Sequence, residues 1–168
     1  MSRHAPPRRL LSLVLPFLLA FATRAHAAPA LTAAPSFRLP GRGAEVVSDS
    51  LRGRVVLVDF WASWCVPCRK SFPWLAAMQE KYGPQGLTVV GVNLDKTRPA
   101  ADAFLAQVPA PFTLAFDPAG KTAAAWGVKG MPSTFLVGRD GTLVYAHVGF
   151  DPAKTESFEK RIEEALAK

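Results

Sequence analysis

The chain of 168 residues carries 20 Lys and Arg against 13 Asp and Glu, for a formal net charge of +7, and 49% of its residues are hydrophobic. This length fits one domain with a short extension, and the apolar content excludes an intrinsically disordered chain. Only two cysteines occur, Cys65 and Cys68. That count excludes a disulfide-stapled scaffold and a cysteine-rich structural zinc site.

The positive charge is concentrated at the N-terminus. Residues 1–27 contain no acidic residue and four of the 20 basic residues, Arg3, Arg8, Arg9 and Arg24, and the first acidic residue of the chain is Glu45. Leaving out residues 1–27 removes these four and leaves 16 basic against 13 acidic residues, a net charge of +3. The charge of the rest of the chain therefore does not indicate a nucleic-acid partner, and we expect none.

Residues 1–27 have the three-part layout of a secretory signal peptide. Residues 1–9 are cationic, residues 10–21 are apolar, and the sequence AHA at residues 25–27 fits a cleavage site. Because a membrane-spanning helix needs about 20 apolar residues, this stretch is short for one, and an uncleaved anchor is kept as the alternative. Both interpretations predict a domain outside the cytoplasm, in the periplasm of a Gram-negative cell.

Residues 28–40 are rich in Ala and Pro without periodicity, which predicts an extended linker. The predicted domain occupies residues 41–168. Apolar, β-branched runs predict strands at residues 55–61, 87–93, 112–116, 134–137 and 143–148. Helix-forming stretches predict helices at residues 65–82, 99–107 and 122–126, and a last helix capped by Asp151, with Phe158, Ile162 and Leu166 as its buried stripe.

The order of these elements predicts an α/β fold. Strands that alternate with helices favour a parallel core with helices on both faces. The last two strands are joined by a turn at residues 138–141 that contains an Asp-Gly pair, which is typical of a hairpin. The hairpin would add an antiparallel edge to the sheet.

Cys65 and Cys68 lie where the first predicted long strand gives way to a helix. Cysteines three residues apart at a helix start are close enough to form a disulfide. Cys65 is predicted to expose its sulfur at the N-terminus of this helix, where free backbone amides and the helix dipole favour a thiolate. This thiolate would attack a substrate disulfide. Cys68 would then resolve the mixed disulfide. Zinc binding lacks further ligands nearby, and a structural disulfide in so small a loop would hardly constrain the unfolded chain.

Several segments of the chain resemble the thioredoxin superfamily. They are VDFWASWCVPC at residues 58–68, Pro73, and GMPST at residues 130–134. The export signal, GVNLD at residues 91–95 and FLVGRDG at residues 135–141 are similar to the TlpA/ResA-like branch of exported thiol–disulfide oxidoreductases. The resemblance covers residues 36–167 and implies a thioredoxin-like fold, with a central mixed sheet and helices on both faces.

The resemblance also implies where clients bind. Pro132 should follow a cis peptide bond and face the cysteines, and the backbone of Met131 should pair with an extended substrate segment. Trp61 and Trp64 flank the cysteines and are predicted to form an apolar platform. The client-binding residues expected on this basis are Trp64, Val66, Pro67, Met131 and Pro132.

Asp59 is an acid within an otherwise apolar strand. Burial of such a carboxylate is costly, so its pKa should rise. The resemblance implies that Asp59 moves the proton of Cys68; an exposed edge-strand Asp is the alternative. ResA-like reductases usually carry Glu three positions after the second cysteine, where this chain has Ser71.

The resulting hypothesis is a periplasmic protein-disulfide reductase that acts as a monomer. It would use no cofactor other than its Cys65–Cys68 disulfide and no metal. Its partners would be disulfide-bearing clients, of the cytochrome c or copper-site maturation type, and a membrane thiol electron donor. The alternatives are an oxidant that donates disulfides, and a copper metallochaperone that uses Cys65, Cys68 and His147.

Overall fold

The structure is a computed structural model that describes Met1 and residues 32–168. The predicted signal peptide after Met1 and the start of the predicted linker lie outside the described residues. Among residues 32–168, no helix has the length and apolar character needed to cross a membrane.

Seven strands and four α-helices form from the residues that the structure describes. The strands are β1 (Arg38–Leu39), β2 (Val46–Val47), β3 (Val55–Trp61), β4 (Leu87–Asn93), β5 (Thr113–Phe116), β6 (Ser133–Val137) and β7 (Leu143–Val148). The helices are α1 (Val66–Tyr82), α2 (Arg98–Gln107), α3 (Lys121–Ala125) and α4 (Thr155–Leu166). The strands β3, β4 and β7 have the predicted bounds, and β5, β6 and the first three helices differ from prediction by one residue at one or both ends.

The main sheet has five strands in the order β5-β4-β3-β6-β7. Strands β3, β4 and β5 are parallel to one another. Strand β6 runs antiparallel to β3, and β7 runs antiparallel to β6. The predicted mixed α/β sheet is confirmed, with β3 at its centre.

The two faces of β3 pack into two separate apolar clusters. Leu57 and Trp61 face the cluster that contains both cysteines and buried residues of α1, α2 and α4. Val58 and Phe60 face the opposite cluster, to which α3 contributes Ala123. This alternation is the period of two expected for a strand covered on both faces, and it places helices on both sides of the sheet.

The last helix begins differently from its prediction. Asp151 does act as a cap, since its Oδ1 accepts a hydrogen bond of 3.0 Å from the Ala153 N–H. The capped residues form a short 3-10 turn, Pro152–Lys154, and α4 starts only after it. Ile162 is fully buried, as the predicted stripe requires, and Leu166 is half-buried.

The predicted linker is wrong from Ala33 onward, because that part of the chain packs against the domain. Ala33 bridges to Thr142, and the Ala34 N–H donates to the Gly141 carbonyl at 3.0 Å. The side chain of Phe37 is only 7% exposed and packs against Trp126. Two-residue strands and single apolar anchors leave no periodic pattern in a sequence, so composition alone could not reveal them.

We expect Phe37→Ala to destabilise the protein by about 3 kcal/mol, because it empties a buried aromatic site. Arg38→Ala is the matched control: its side chain is 65% exposed, and its loss should change stability by less than about 0.5 kcal/mol. Urea unfolding of both variants measures the difference. Equal stability of the two variants would mean that residues 33–40 are not part of the folded unit.

Candidate active site

The two cysteines occupy the start of α1. Cys65 is the N-cap residue, and the Cys68 N–H donates to its Sγ at 3.2 Å. The two residues form a disulfide, with Cα atoms 5.3 Å apart. The first amides of a helix carry partial positive charge and lack intrahelical partners. The cap position therefore directs an amide at the sulfur of Cys65, as the sequence predicted.

A buried carboxylate fixes the loop that leads to the cysteines. Asp95, 5% exposed, accepts from the Ser63 N–H at 2.9 Å and the Ser63 hydroxyl at 2.8 Å. The Asn93 side-chain amide donates to the same carboxylate at 2.7 Å. Sequence reasoning missed this role, although two polar residues at the end of a buried strand, Asn93 as its last residue and Asp95 just after it, were a signal. The bonds tie the end of β4 to the residues just before Cys65.

The residues around the disulfide differ strongly in solvent exposure. Cys65 is 4% exposed and Cys68 is fully buried, whereas Trp64 is 69% and Val66 is 70% exposed. The expected exposure of the Cys65 sulfur is thus wrong for the disulfide form. Trp61 is also fully buried, so only Trp64 contributes to the predicted platform.

One open groove contains most of the predicted client-binding residues. Trp64, Val66, Pro67 and Met131 line it together with Cys65, and its volume is about 710 Å³. The Met131–Pro132 bond is cis, as predicted. Pro132 itself is buried. The far wall, which the sequence did not indicate, consists of small and apolar residues and one cation: Leu94, Gly120, Ala123, Ala124, Val128, Lys129 and Gly130.

Asp59 is fully buried in the central strand. It lies between Leu57 and Trp61 on β3, and therefore on the face of the cluster that contains Cys68. Its Oδ1 accepts from the Thr134 hydroxyl at 2.7 Å, while its Oδ2 is buried and has no partner within residues 32–168. Burial away from water raises the pKa of Asp59 to about 7, although the hydrogen bond from Thr134 opposes the shift. The predicted burial and raised pKa are confirmed.

Ser71 and His147 are the two other positions that the sequence analysis singled out, the first in place of a Glu and the second as a candidate copper ligand. Ser71 is buried, and its hydroxyl donates to the Cys68 carbonyl at 3.1 Å, so no carboxylate occupies that place in α1. His147 lies on β7, opposite Thr134 of β6. Among residues 32–168, no three His, Cys, Asp or Glu side chains come together as a metal site, and His147 forms no such group with the cysteines.

A disulfide at the start of a helix, set on a five-stranded mixed sheet and followed by a cis-proline, defines a thioredoxin-like thiol–disulfide oxidoreductase. The chain belongs to the Redoxin family, whose model matches residues 29–166.

Two relatives and one solved structure illustrate the similarity. The chain is 38% identical over 138 residues to thiol:disulfide interchange protein HelX of Rhodobacter capsulatus, covering 80% of this chain and 75% of that protein. It is 29% identical over 136 residues to thiol-disulfide oxidoreductase ResA of Bacillus thuringiensis subsp. konkukian, with coverage of 80% and 75%. A crystal structure of a putative thiol:disulfide interchange protein DsbE from Chlorobium tepidum superimposes with a TM-score of 0.80 at 53% identity, covering 81% of this chain and 96% of that one.

The raised pKa of Asp59 predicts how stability depends on pH. Between its ordinary value of 3.8 and about 7, the unfolded chain ionises Asp59 while the folded protein keeps it protonated. The free energy of unfolding contributed by this group therefore falls as the pH rises through that window, and the loss is complete above it. We expect Asp59→Asn to be more stable than wild type at about pH 8, by a few kcal/mol, and the difference to vanish towards about pH 4.

Urea unfolding of the oxidised protein across that range measures this effect. Asp49→Asn, which alters an exposed carboxylate, is the control and should show no comparable trend. A difference between Asp59→Asn and wild type that stays constant with pH would contradict the raised pKa.

Proposed function

We propose that this protein reduces the disulfides of exported client proteins by dithiol exchange between Cys65 and Cys68. The observation that carries the proposal is the disulfide at the start of α1, with its more accessible sulfur in an open groove and its other cysteine fully buried. That order of accessibility suits an attacking and a resolving cysteine. The names of the relatives as thiol:disulfide interchange proteins support the same chemistry.

In the reduced protein, Cys65 is the nucleophile. Its sulfur lies at the helix N-terminus beside the Cys68 N–H, where the dipole favours a thiolate. The thiolate attacks one sulfur of the client disulfide, and the second client sulfur leaves with the electron pair of the broken bond. The product is a mixed disulfide between Cys65 and the client.

Cys68 then resolves the mixed disulfide, and Asp59 accepts its proton. The buried carboxyl, with a pKa of about 7, is matched to proton exchange near neutral pH. The Cys68 sulfur bonds to Cys65, and the client leaves with both of its cysteines reduced. A membrane thiol electron donor regenerates the dithiol form.

The groove suits an extended client segment. Met131 offers backbone groups for strand-like pairing, and Trp64, Val66 and Pro67 form the apolar side next to Cys65. Pro132, which follows Met131 through a cis bond, is buried. We assign the clients to the cytochrome c or copper-site maturation type.

We place this activity in the periplasm, with residues 1–27 acting as the export signal or as a membrane tether. We also propose that the protein acts as a monomer.

The two cysteines should fail in different ways when they are replaced. Cys65→Ala should abolish reduction of insulin, because no nucleophile remains, whereas Cys68→Ala should accumulate mixed disulfides with clients, because nothing resolves them. An insulin-reduction assay measures the first effect. Non-reducing electrophoresis of periplasmic extracts measures the mixed disulfides, and identification of the trapped proteins gives the clients. Insulin reduction at the wild-type rate by both variants would refute the mechanism.

The direction of electron flow follows from the reduction potential of the Cys65–Cys68 pair. We expect a value near that of thioredoxin, about −270 mV, measured by equilibration with a redox buffer. A value approaching about −120 mV, as for strong disulfide donors, would reverse the direction and make the protein an oxidant.

A further inference from the structure

The proposed role of Asp59 requires a route by which the buried carboxyl releases its proton. The carboxyl receives a proton from Cys68 in each catalytic cycle, and it must lose this proton to solvent unless Cys68 takes it back when the disulfide is next reduced. Yet Asp59 is fully buried, and the residues on either side of it along its face of β3, Leu57 and Trp61, are apolar and buried. A proton needs hydrogen-bonding groups to cross such surroundings.

Thr134 is the one side chain among residues 32–168 that hydrogen-bonds to Asp59, with 2.7 Å between its hydroxyl and Oδ1. A hydroxyl both donates and accepts, so it can take up a proton on one side while releasing one on the other. Thr134 is 6% exposed. Its hydroxyl therefore contacts the Asp59 carboxyl on one side and is available to a second hydrogen-bonding group on the other.

His147 lies next to Thr134 on the neighbouring strand, on the side away from Asp59. The strand register places Asp59 of β3 opposite Thr134 of β6, and Thr134 opposite His147 of β7. Directly opposed residues on neighbouring strands share a face and lie within side-chain contact range. The three polar side chains therefore form a row from the centre of the sheet to its edge, where His147 is partly exposed.

A small cavity adjoins the outer part of this row. Thr134 and His147 both line it, together with Trp74, and its volume of about 20 Å³ has room for one water molecule. The Nε1–H of Trp74 is buried and has no hydrogen-bond partner among the described residues. The lining therefore supplies a donor, a hydroxyl and an imidazole, which are the partners that a water needs.

We propose that Thr134 and His147 form a proton path that connects Asp59 to solvent through a water in this cavity. This inference rests on the proposed role of Asp59. The Thr134 hydroxyl donates to the Asp59 carboxylate, and after Cys68 has given its proton to Asp59 this hydroxyl turns toward the water. The Thr134 oxygen then accepts the Asp59 proton while it releases its own to the water. The water passes a proton to the His147 imidazole, which releases one to solvent, so each group ends in its starting state.

Charged and titratable groups of three elements lie around His147. Asp151 and Lys154, both exposed, line the mouth of the cavity. Tyr145 stacks on His147 from the same strand, and Arg161 of α4 lies over the Tyr145 ring. The imidazole therefore exchanges protons beside one carboxylate and two cations.

A pH jump separates this path from a purely structural role of Thr134. Reduced protein is mixed with an equimolar amount of DTNB, an aromatic disulfide. Attack by Cys65 releases one coloured thiolate, and resolution by Cys68 releases the second. The second release is timed in protein equilibrated at about pH 8 and in protein jumped to that pH from about 5.5, where Asp59 starts protonated because its pKa is about 7.

We expect Thr134→Val to show a lag before the second release after the jump, and no lag after equilibration at the higher pH. Thr134→Ser keeps the hydroxyl and should show no lag. His147→Ala should show a lag that shortens as imidazole is added to the buffer. Ala146→Gln, on the opposite face of β7, is the matched control and should behave as wild type.

Two results would overturn the path: Thr134→Val without a lag after the jump, or Thr134→Val equally slowed under both conditions, as a structural defect would be. A His147→Ala variant without a lag would remove His147 from the path. The first release checks that each variant is folded and that Cys65 reacts. Asp59→Asn tests the proposed function separately, because an unchanged second release in that variant would mean that Asp59 is not the proton acceptor at all.

Discussion

The central strand β3 constrains the rest of the molecule. It is paired on both edges, with β4 and with β6, and all seven of its residues are buried. Such a strand cannot shift by one residue without exchanging its two faces. The register therefore fixes Asp59 on the face of the cysteines, and the end of the strand fixes where the chain leaves the sheet to form the active-site loop.

Six of the seven side chains of β3 stabilise the fold, and the seventh, Asp59, lowers its stability when it is ionised. Apolar side chains at six of the seven positions of β3 contribute to two clusters. The seventh position carries a carboxyl that ionises only against the cost of desolvation. A protein selected for stability alone would place a hydrophobic residue there. The proton-accepting role proposed above for Asp59 would account for an acid at this fully buried position.

Much of the fold was predictable because its signals are local. The run VVLVDFW and the Asp-Gly turn identify β3 and the last hairpin within a few residues, and the two cysteines identify the helix start. The segment that contains Phe37 was not predictable, because its partners are distant in sequence. The exposures of Cys65 and Trp61 were wrong for a related reason. Adjacency to a reactive motif does not reveal which side chain the neighbouring helices cover, and here Phe72 and Phe104 enclose the Trp61 ring.

Because the Cys65 sulfur accepts a hydrogen bond from the Cys68 amide, the redox group of this protein is also the cap of α1. The oxidised and reduced forms thus differ in the quality of that cap, since a thiolate is a stronger acceptor than a neutral disulfide sulfur. By a thermodynamic cycle, whatever the thiolate adds to the folding stability of the reduced form also makes the disulfide easier to reduce. Pro67, in the first turn of α1, removes one of the amides available for this purpose. The choice of residue between the cysteines therefore sets both the stability of a helix end and the electron affinity of the active site.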